Sequence, residues 1–333
     1  MATISILLPV YDAAPYLPAC LDSILQQDDP HWELLAVNNC STDHSGRILA
    51  HYAQQDPRIR PLDHGENSII RALRWALRES RGRWITRMDA DDRMAPQKLR
   101  RLRAVLEERG RKWVATGAVE YFSEGTLGWG YQAYAQWLNT LTRAERNFED
   151  RYRECVIPSP CWMCHREDLL ACGAFDSERY PEDYDLAFRF FKAGYRVAGV
   201  PEVLHYWRDH PKRASRTQAQ YSDNRFLDLK VDYFLELDHD AQRPLALWGA
   251  GRKGKKIAQL LVDREIPFYW LSNTASKIGH RIYGREVWHF QRIGELDRPQ
   301  LILSVAAVEG RREIQHFLDQ GGYRKNESYF WFC

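Results

Sequence analysis

The stretch Trp84-Ile85-Thr86-Arg87-Met88-Asp89-Ala90-Asp91-Asp92 decides how the rest of the chain is read. It opens as a short apolar run after Gly82 and ends in closely spaced carboxylates at Asp89, Asp91 and Asp92. Such a run predicts a buried strand that delivers acids to its carboxyl end, the edge where open α/β sheets place their ligands. Carboxylates this close repel one another unless a cation sits between them. Mg2+ typically takes one or two carboxylates together with substrate phosphates. Asp89 and Asp91 therefore predict a metal–diphosphate site. The competing reading is a solvated acidic turn that caps the helix starting near Pro96.

Outward from this stretch, apolar runs and helical stripes alternate. Strands are predicted at Thr3–Val10, Trp32–Val37 and Ile59–Leu62, and helices at Tyr16–Gln27, Ser45–Gln54 and Ile69–Glu79. This β-α-β-α order predicts a mainly parallel sheet with helices on both faces. Pro96–Arg109 reads as a helix whose outer face carries Lys98, Arg100, Arg101 and Arg103, a solvated face rather than a phosphate site. A strand follows at Lys112–Phe122. In the aromatic segment after Gly128, Tyr134, Trp137, Leu138 and Leu141 share a helical face. Packing on the core is the main reading of that face, and contact with a membrane surface or lipid-linked acceptor the lesser one. Val156–Cys164 reads as a buried strand, Arg166–Cys172 as a helix and Tyr195–Val200 as a strand. Leu204–Arg216 reads as a basic loop able to fold over an anion, and Gln218–Glu236 as a helix. Pro181-Glu182-Asp183-Tyr184-Asp185 opens a further helix, where the dipole favours acids.

The 333 residues suffice for two domains, and 28% charged with 44% hydrophobic residues suits a globular protein with real cores. A net charge of +2 gives no polyanion-binding signature, so no nucleic-acid partner is expected. The first residues lack a basic region, and Pro9 breaks their apolar run, so no signal peptide is expected. No apolar stretch reaches membrane-span length. Seven scattered cysteines without an export signal predict reduced thiols in the cytoplasm. Cys161-Trp162-Met163-Cys164-His165 matches a haem-attachment spacing, yet without export the better reading is buried thiols on a strand.

A polar linker at Asp238–Gln242 precedes a restart of the pattern: strand Pro244–Trp248, the turn Gly249-Ala250-Gly251-Arg252-Lys253-Gly254, helix Lys255–Arg264 and strand Pro267–Leu271. Strand Leu301–Val305 and helix Arg311–Gln320 follow. This places G-x-G-x-x-G between strand and helix, as a dinucleotide fold requires. The companion acid is missing, since the second strand runs into Ser272-Asn273. The expectation is a Rossmann-like fold whose glycines serve a tight strand–helix turn.

Five pieces occur in a fixed order: Ile6-Leu7-Leu8-Pro9-Val10-Tyr11, Asn38-Asn39-Cys40-Ser41-Thr42-Asp43, Met88-Asp89-Ala90-Asp91-Asp92, Pro181-Glu182-Asp183-Tyr184-Asp185-Leu186 and Tyr206-Trp207-Arg208-Asp209-His210. In that order they resemble the family 2 glycosyltransferases of GT-A fold. The resemblance implies an α/β architecture: a GT-A domain with a Rossmann-like mixed sheet over 1–238. A smaller Rossmann-like accessory domain is expected over 239–333. It implies an inverting enzyme that moves a sugar from a nucleotide-diphosphate sugar to a saccharide or lipid-linked acceptor, in surface polysaccharide or lipopolysaccharide assembly. Such an enzyme would work in the cytoplasm, peripheral to the inner membrane, and as a homo-oligomer if the second domain serves assembly.

Roles follow position by position. Pro9, Tyr11, Asp12 and Asn39 correspond to base and ribose contacts, with Arg71 approaching the nucleotide. Asp89 would meet the ribose or the metal, Asp91 would hold Mg2+ or Mn2+, and His210 would reach the metal or diphosphate. Arg208, Lys212 or Arg213 would assist. Asp183 corresponds to the general base, with Glu182 beside it. The family usually carries acids where this chain has Asn38-Asn39. Asn donates as well as accepts, so the charge expected near a uracil is gone. Two rival readings are a sugar-nucleotide-binding protein with impaired turnover, and a nicotinamide-dependent oxidoreductase built on the carboxyl-terminal domain.

Overall fold

A computed structural model describes residues 3–125, 127–211, 213 and 226–333. They divide into two units, Met1–Phe148 with Cys155–Arg213, and Glu149–Glu154 with Ala214–Cys333. The boundary expected from the polar linker lay after 238. In this grouping the helix Phe226–Leu237 and the short 149–154 segment go with the second unit.

The first unit is built on eight strands: β1 (Ile4–Val10), β2 (Trp32–Asn39), β3 (Ile59–His64), β4 (Trp84–Arg87), β5 (Arg93–Met94), β6 (Trp113–Ser123), β7 (Trp162–His165) and β8 (Arg196–Asp209). Their order in the sheet is β3-β2-β1-β4-β7-β6-β8-β5. The first four are parallel, as the β-α-β-α alternation predicts. β7 then enters antiparallel to both β4 and β6, so the sheet is mixed. β1 and β2 are buried almost throughout, because helices cover both faces of a parallel sheet. Ile4, Ile6 and Leu8 pack with Leu34 and Ala36 against Leu17, Leu21 and Ile24 of α1 (Leu17–Leu25).

Two segments differ from expectation. Leu204–Asp209, read as loop, continues β8 to residue 209. The pairing with β6 shifts register so that Gly117 faces Val200 while Ala118 faces Val203, which steps over Pro201. A bulge of this kind lets a strand run past a proline that cannot donate to the ladder. The loop reading is thereby confined to 210–216, of which His210, Pro211 and Arg213 are described. Conversely, of the expected Val156–Cys164 strand only 162–164 forms, as part of β7, since Pro158 and Pro160 interrupt the preceding ladder. Cys161 and Cys164 are buried there, and the cysteines are free thiols. Residues 214–225 and Lys212 lie outside the described residues.

In the second unit, strands β9 (Leu245–Trp248), β10 (Tyr269–Ser272), β11 (Arg281–Ile282), β12 (Arg285–His289), β13 (Gln300–Leu303) and β14 (Tyr329–Trp331) form one sheet of order β11-β12-β10-β9-β13-β14. From β12 to β14 all neighbours are parallel, so chain order reads 3-2-1-4-5, the Rossmann-like arrangement. Gly249 takes φ +126°, a conformation that favours glycine, at the end of β9. A Cβ on Gly254, in the helix Arg252–Asp263, would lie 2.0 Å from the Gly249 carbonyl oxygen. Helical Gly→Ala normally stabilises by about 1 kcal/mol. Here the backbone clash reverses the sign, and Gly254→Ala is expected to destabilise by about 1–3 kcal/mol. A lowered melting temperature in a thermal scan checks this; an unchanged or raised one would show that the turn can relax.

Candidate active site

β4 ends at Arg87, and the chain turns at once: the Met88 amide bonds to the Leu7 carbonyl at 2.9 Å and the Asp92 amide to the Asp89 carbonyl at 3.2 Å. Leu7 faces Arg87 across the β1–β4 pair, and Pro9, past the end of that pairing, faces Val37 of β2. The acids of this turn then diverge in role. The side chains of Asp89 and Asp91 remain 28% and 26% exposed, whereas that of Asp92 is buried. Asp92 accepts the Arg208 amide at 2.7 Å, and its other oxygen lies 3.0 Å from His205 Nε2. It ties the acidic turn to β8. Burial pushes the Asp92 carboxyl well up, with Asp91 and Asp89 adding to the shift. Burial also raises Asp89; Arg87 opposes this while Asp91 and Glu182 reinforce it. Carboxylates crowded in this way favour a cation between them.

His210 follows directly on β8. Its Nε2 lies 2.9 Å from Asp91 Oδ2, its ring packs 4.3 Å from that of Tyr16, and its buried Nδ1 has no hydrogen-bond partner among the described residues. Arg208 donates from Nε to the Asp91 carbonyl at 2.8 Å and from Nη1 to Glu124 at 3.2 Å, with its guanidinium 4.6 Å from the Phe122 ring. Among the described residues no three His, Cys, Asp or Glu side chains form a ready cage for a metal. The Asp91–His210 pair with Asp89 close by suits a hard ion that completes its shell with water and phosphate oxygens, the habit of Mg2+.

The second acid pair opens α7 (Glu182–Lys192) directly after the N-cap Pro181. Anions are favoured there by the helix dipole. Glu182 is buried and accepts from Arg87 Nη1 at 2.8 Å, while Arg87 Nε donates to Asp89 at 2.9 Å. One guanidinium thus joins the two acid motifs directly. Burial alone would favour neutral Arg87, but Asp89, Glu182 and Asp183 hold its affinity for the proton above the ordinary value. Asp183 is less buried than Glu182 and accepts the Tyr184 amide at 2.8 Å. Desolvation, with the neighbouring Glu182 charge, pushes its carboxyl up to about 7, against the pull of Arg87. Because Glu182 is committed to Arg87, Asp183 is the acid of this pair better placed to take a proton.

The expected nucleotide contacts are only partly presented. Tyr11 is 49% exposed at the end of β1. Asp12 instead organises its own loop: at φ +43° it accepts the Thr42 amide at 2.7 Å and the Asp43 amide at 3.3 Å. Asn39 is buried, donates to Asn67 at 3.2 Å and accepts the Ser68 amide at 3.0 Å, so its amide clamps the segment leading into α3 (Ile69–Glu79). Arg71 pairs with Glu66 and lies 3.8 Å from Glu178 on the surface.

Sequence reasoning missed a buried network behind the site. Lys98, expected on the outer face of its helix, is fully buried; it donates to the Pro160 carbonyl and lies 3.3 Å from His205 Nδ1. Burial lowers the proton affinity of both Lys98 and His205. The only hint was a lysine one position before Leu99, at the start of a helix whose apolar stripe faces inward. In the aromatic helix, Leu138 is buried and Tyr134 and Trp137 pack on the core, as the main reading of that face expects. Trp129, at its start, is 80% exposed.

The family model described as glycosyl transferase family 2 matches residues 5–172. The chain is similar to the putative teichuronic acid biosynthesis glycosyltransferase TuaG of Bacillus subtilis (strain 168), 34% identical over 208 residues that cover 62% of this chain and 78% of TuaG. It is also similar to the uncharacterized glycosyltransferase EpsJ of that organism, 26% identical over 221 residues covering 66% of this chain and 64% of EpsJ. Among solved structures, S. aureus TarS 1–349 in complex with UDP-GlcNAc matches with a TM-score of 0.54 at 16% identity, covering 78% of this chain and 72% of that one. The mannosyltransferase PcManGT from Pyrobaculum calidifontis, in complex with GDP-Man and Mn2+, matches with a TM-score of 0.53 at 19% identity, covering 78% and 68%.

Proposed function

The chain belongs to glycosyl transferase family 2 and has the GT-A fold, and from that premise we propose that it is an inverting glycosyltransferase using a nucleotide-diphosphate sugar and Mg2+ or Mn2+. The observation that supports this reading is the Asp89–Arg87–Glu182 link, which ties the acidic turn to the Glu182-Asp183 pair. Asp91, with Asp89 and His210, would hold the cation. When bound, that ion supplies positive charge against the departing diphosphate. Arg208 fixes the backbone of Asp91 and so the position of its carboxylate.

Asp183 accepts the proton of the acceptor hydroxyl as its oxygen bonds to the anomeric carbon, while the bond from that carbon to the diphosphate oxygen breaks. Attack from the face opposite the leaving group inverts the configuration. The donor base is left open by Asn39: its amide carries no charge and is engaged by Asn67 and Ser68. UDP-GlcNAc and GDP-Man in the related structures make uridine and guanosine the first bases to try. A thermal-shift panel of UDP, GDP, dTDP and CMP with Mn2+ tests the reading, and a flat response to all four would defeat it.

TuaG's name, which puts it in teichuronic acid biosynthesis, supports a role in building a surface polysaccharide; a saccharide or lipid-linked acceptor belongs to the same proposal. Among the described residues no helix is long and apolar enough to cross a membrane. Work at the cytoplasmic face of the membrane is part of the same proposal, with the second unit as an accessory module for acceptor presentation or assembly.

The raised carboxyl of Asp183 sets a pH dependence. A general base works only when ionised, and a group at about 7 gains its negative charge as pH rises through that value. kcat/KM is therefore expected to climb with pH below about 7 and to level off above it, with a bound cation moving the limb lower. A pH–rate profile measured at saturating Mn2+ checks this. A rate that falls across the same interval would mean the group acts as an acid.

A further inference from the structure

Arg87 is a charged residue at the inner end of a strand that is otherwise buried, and its own side chain is 5% exposed. Nothing in the chemistry proposed above requires it. Buried ion pairs are weak evidence for stability, because apolar groups of similar volume often serve as well. What a guanidinium offers instead is a rigid planar fork with fixed directions. Here Nε and Nη1, on different edges of that fork, hold Asp89 at 2.9 Å and Glu182 at 2.8 Å. Asp89 belongs to the diphosphate side of the cleft, and Glu182 is covalently next to Asp183 on the acceptor side. Arg87 and Glu182 lie 95 residues apart in sequence, on different elements.

We infer that Arg87 is a positioning residue which sets the distance between the diphosphate-holding turn and the Asp183 base, and so the gap in which the sugar ring must sit. The inference rests on the glycosyltransferase reading. Among the described residues Arg87 bonds Asp89 and Glu182 and neither Asp91 nor His210, so donor capture depends on it only through Asp89. The alignment of donor carbon, acceptor oxygen and base depends on both bonds. A misplacement of about 1 Å in such an alignment costs on the order of 10²-fold in rate.

The test uses the full chain, with release of nucleoside diphosphate from UDP-GlcNAc and from GDP-mannose as turnover, and calorimetry with UDP or GDP plus Mn2+ as capture. Arg87→Met is expected to lose roughly 10²-fold in kcat with a much smaller change in nucleotide affinity. Arg87→Lys, which keeps the charge but not the fork, recovers part of the loss. Glu182→Met, which removes the acceptor oxygens, shows the same loss confined to kcat, and the double variant is no slower than Arg87→Met, since both changes break one link. If Arg87→Met melts near room temperature, Glu182→Met, which keeps roughly the volume, carries the test alone. Turnover at the wild-type level in a folded Arg87→Met, or in a folded Glu182→Met, overturns the inference. So does a fall in nucleotide affinity that matches the fall in turnover. A wild-type chain that neither binds nor cleaves any donor instead overturns the glycosyltransferase reading, and the role of Arg87 with it.

Discussion

Asp183→Asn is expected to lower turnover by about 10²–10⁴-fold, the usual contribution of a positioned general base, while leaving the affinity for a nucleoside diphosphate and Mn2+ intact. The amide keeps the shape of the side chain and can still accept the Tyr184 amide, so the start of α7 has little reason to move. What it loses is a lone pair able to hold the acceptor's proton. The substitution also removes a negative charge crowded against Glu182, so folding stability should hold or rise. Rates of nucleotide release, set beside calorimetry on the same preparation, separate the two effects. A variant that turns over near the wild-type rate would remove Asp183 from the chemistry, and one that no longer binds nucleotide would recast it as a donor contact.

Asp91→Ala should act on the opposite half of the reaction. Outer-shell partners of a metal ligand commonly cost 10–100-fold in metal affinity, and a ligand itself should cost at least about as much. Nucleotide binding that depends on Mn2+ is therefore expected to weaken by about 100-fold or more, and turnover to fall with it. Metal-free binding, weak in the wild type, should change little. The variant also strips His210 of its 2.9 Å partner. Removing one of several mutually repelling carboxylates offsets that loss, so the melting temperature of the metal-free protein serves as a folding control. Equal Mn2+ enhancement of UDP or GDP binding in both proteins would contradict the assignment.

The parts legible in sequence were those with a local signature. The apolar run before Asp89, the helix-opening acids at Glu182 and Asp183, and the Gly249–Gly254 turn each announce themselves within a few residues; the first two form where expected, while the helix after Gly249 begins at Arg252, inside the glycine motif. β8 was cut short because a proline normally ends a strand, and only the paired strand shows the bulge that lets it continue past Pro201. Arg87, Lys98 and His205 were invisible for a related reason. Their partners come from distant segments, and a buried charge reads like a surface charge until the group neutralising it is known. Asn39 shows a third kind of limit: its type suggested a weakened base contact, whereas its packing shows both ends of the amide holding the 67–68 segment.

The central claim is that one cleft holds the diphosphate-binding ion at Asp91 and the proton acceptor at Asp183. Its most direct measurement is a crystal structure with Mn2+ and whichever nucleoside diphosphate the thermal-shift panel selects, with the ion located by its anomalous scattering. The account predicts a manganese peak within coordination distance of an Asp91 oxygen, with the β-phosphate facing the cleft that Asp183 closes from the other side. A peak elsewhere on the chain, or a nucleotide whose β-phosphate points away from Asp183, would contradict it.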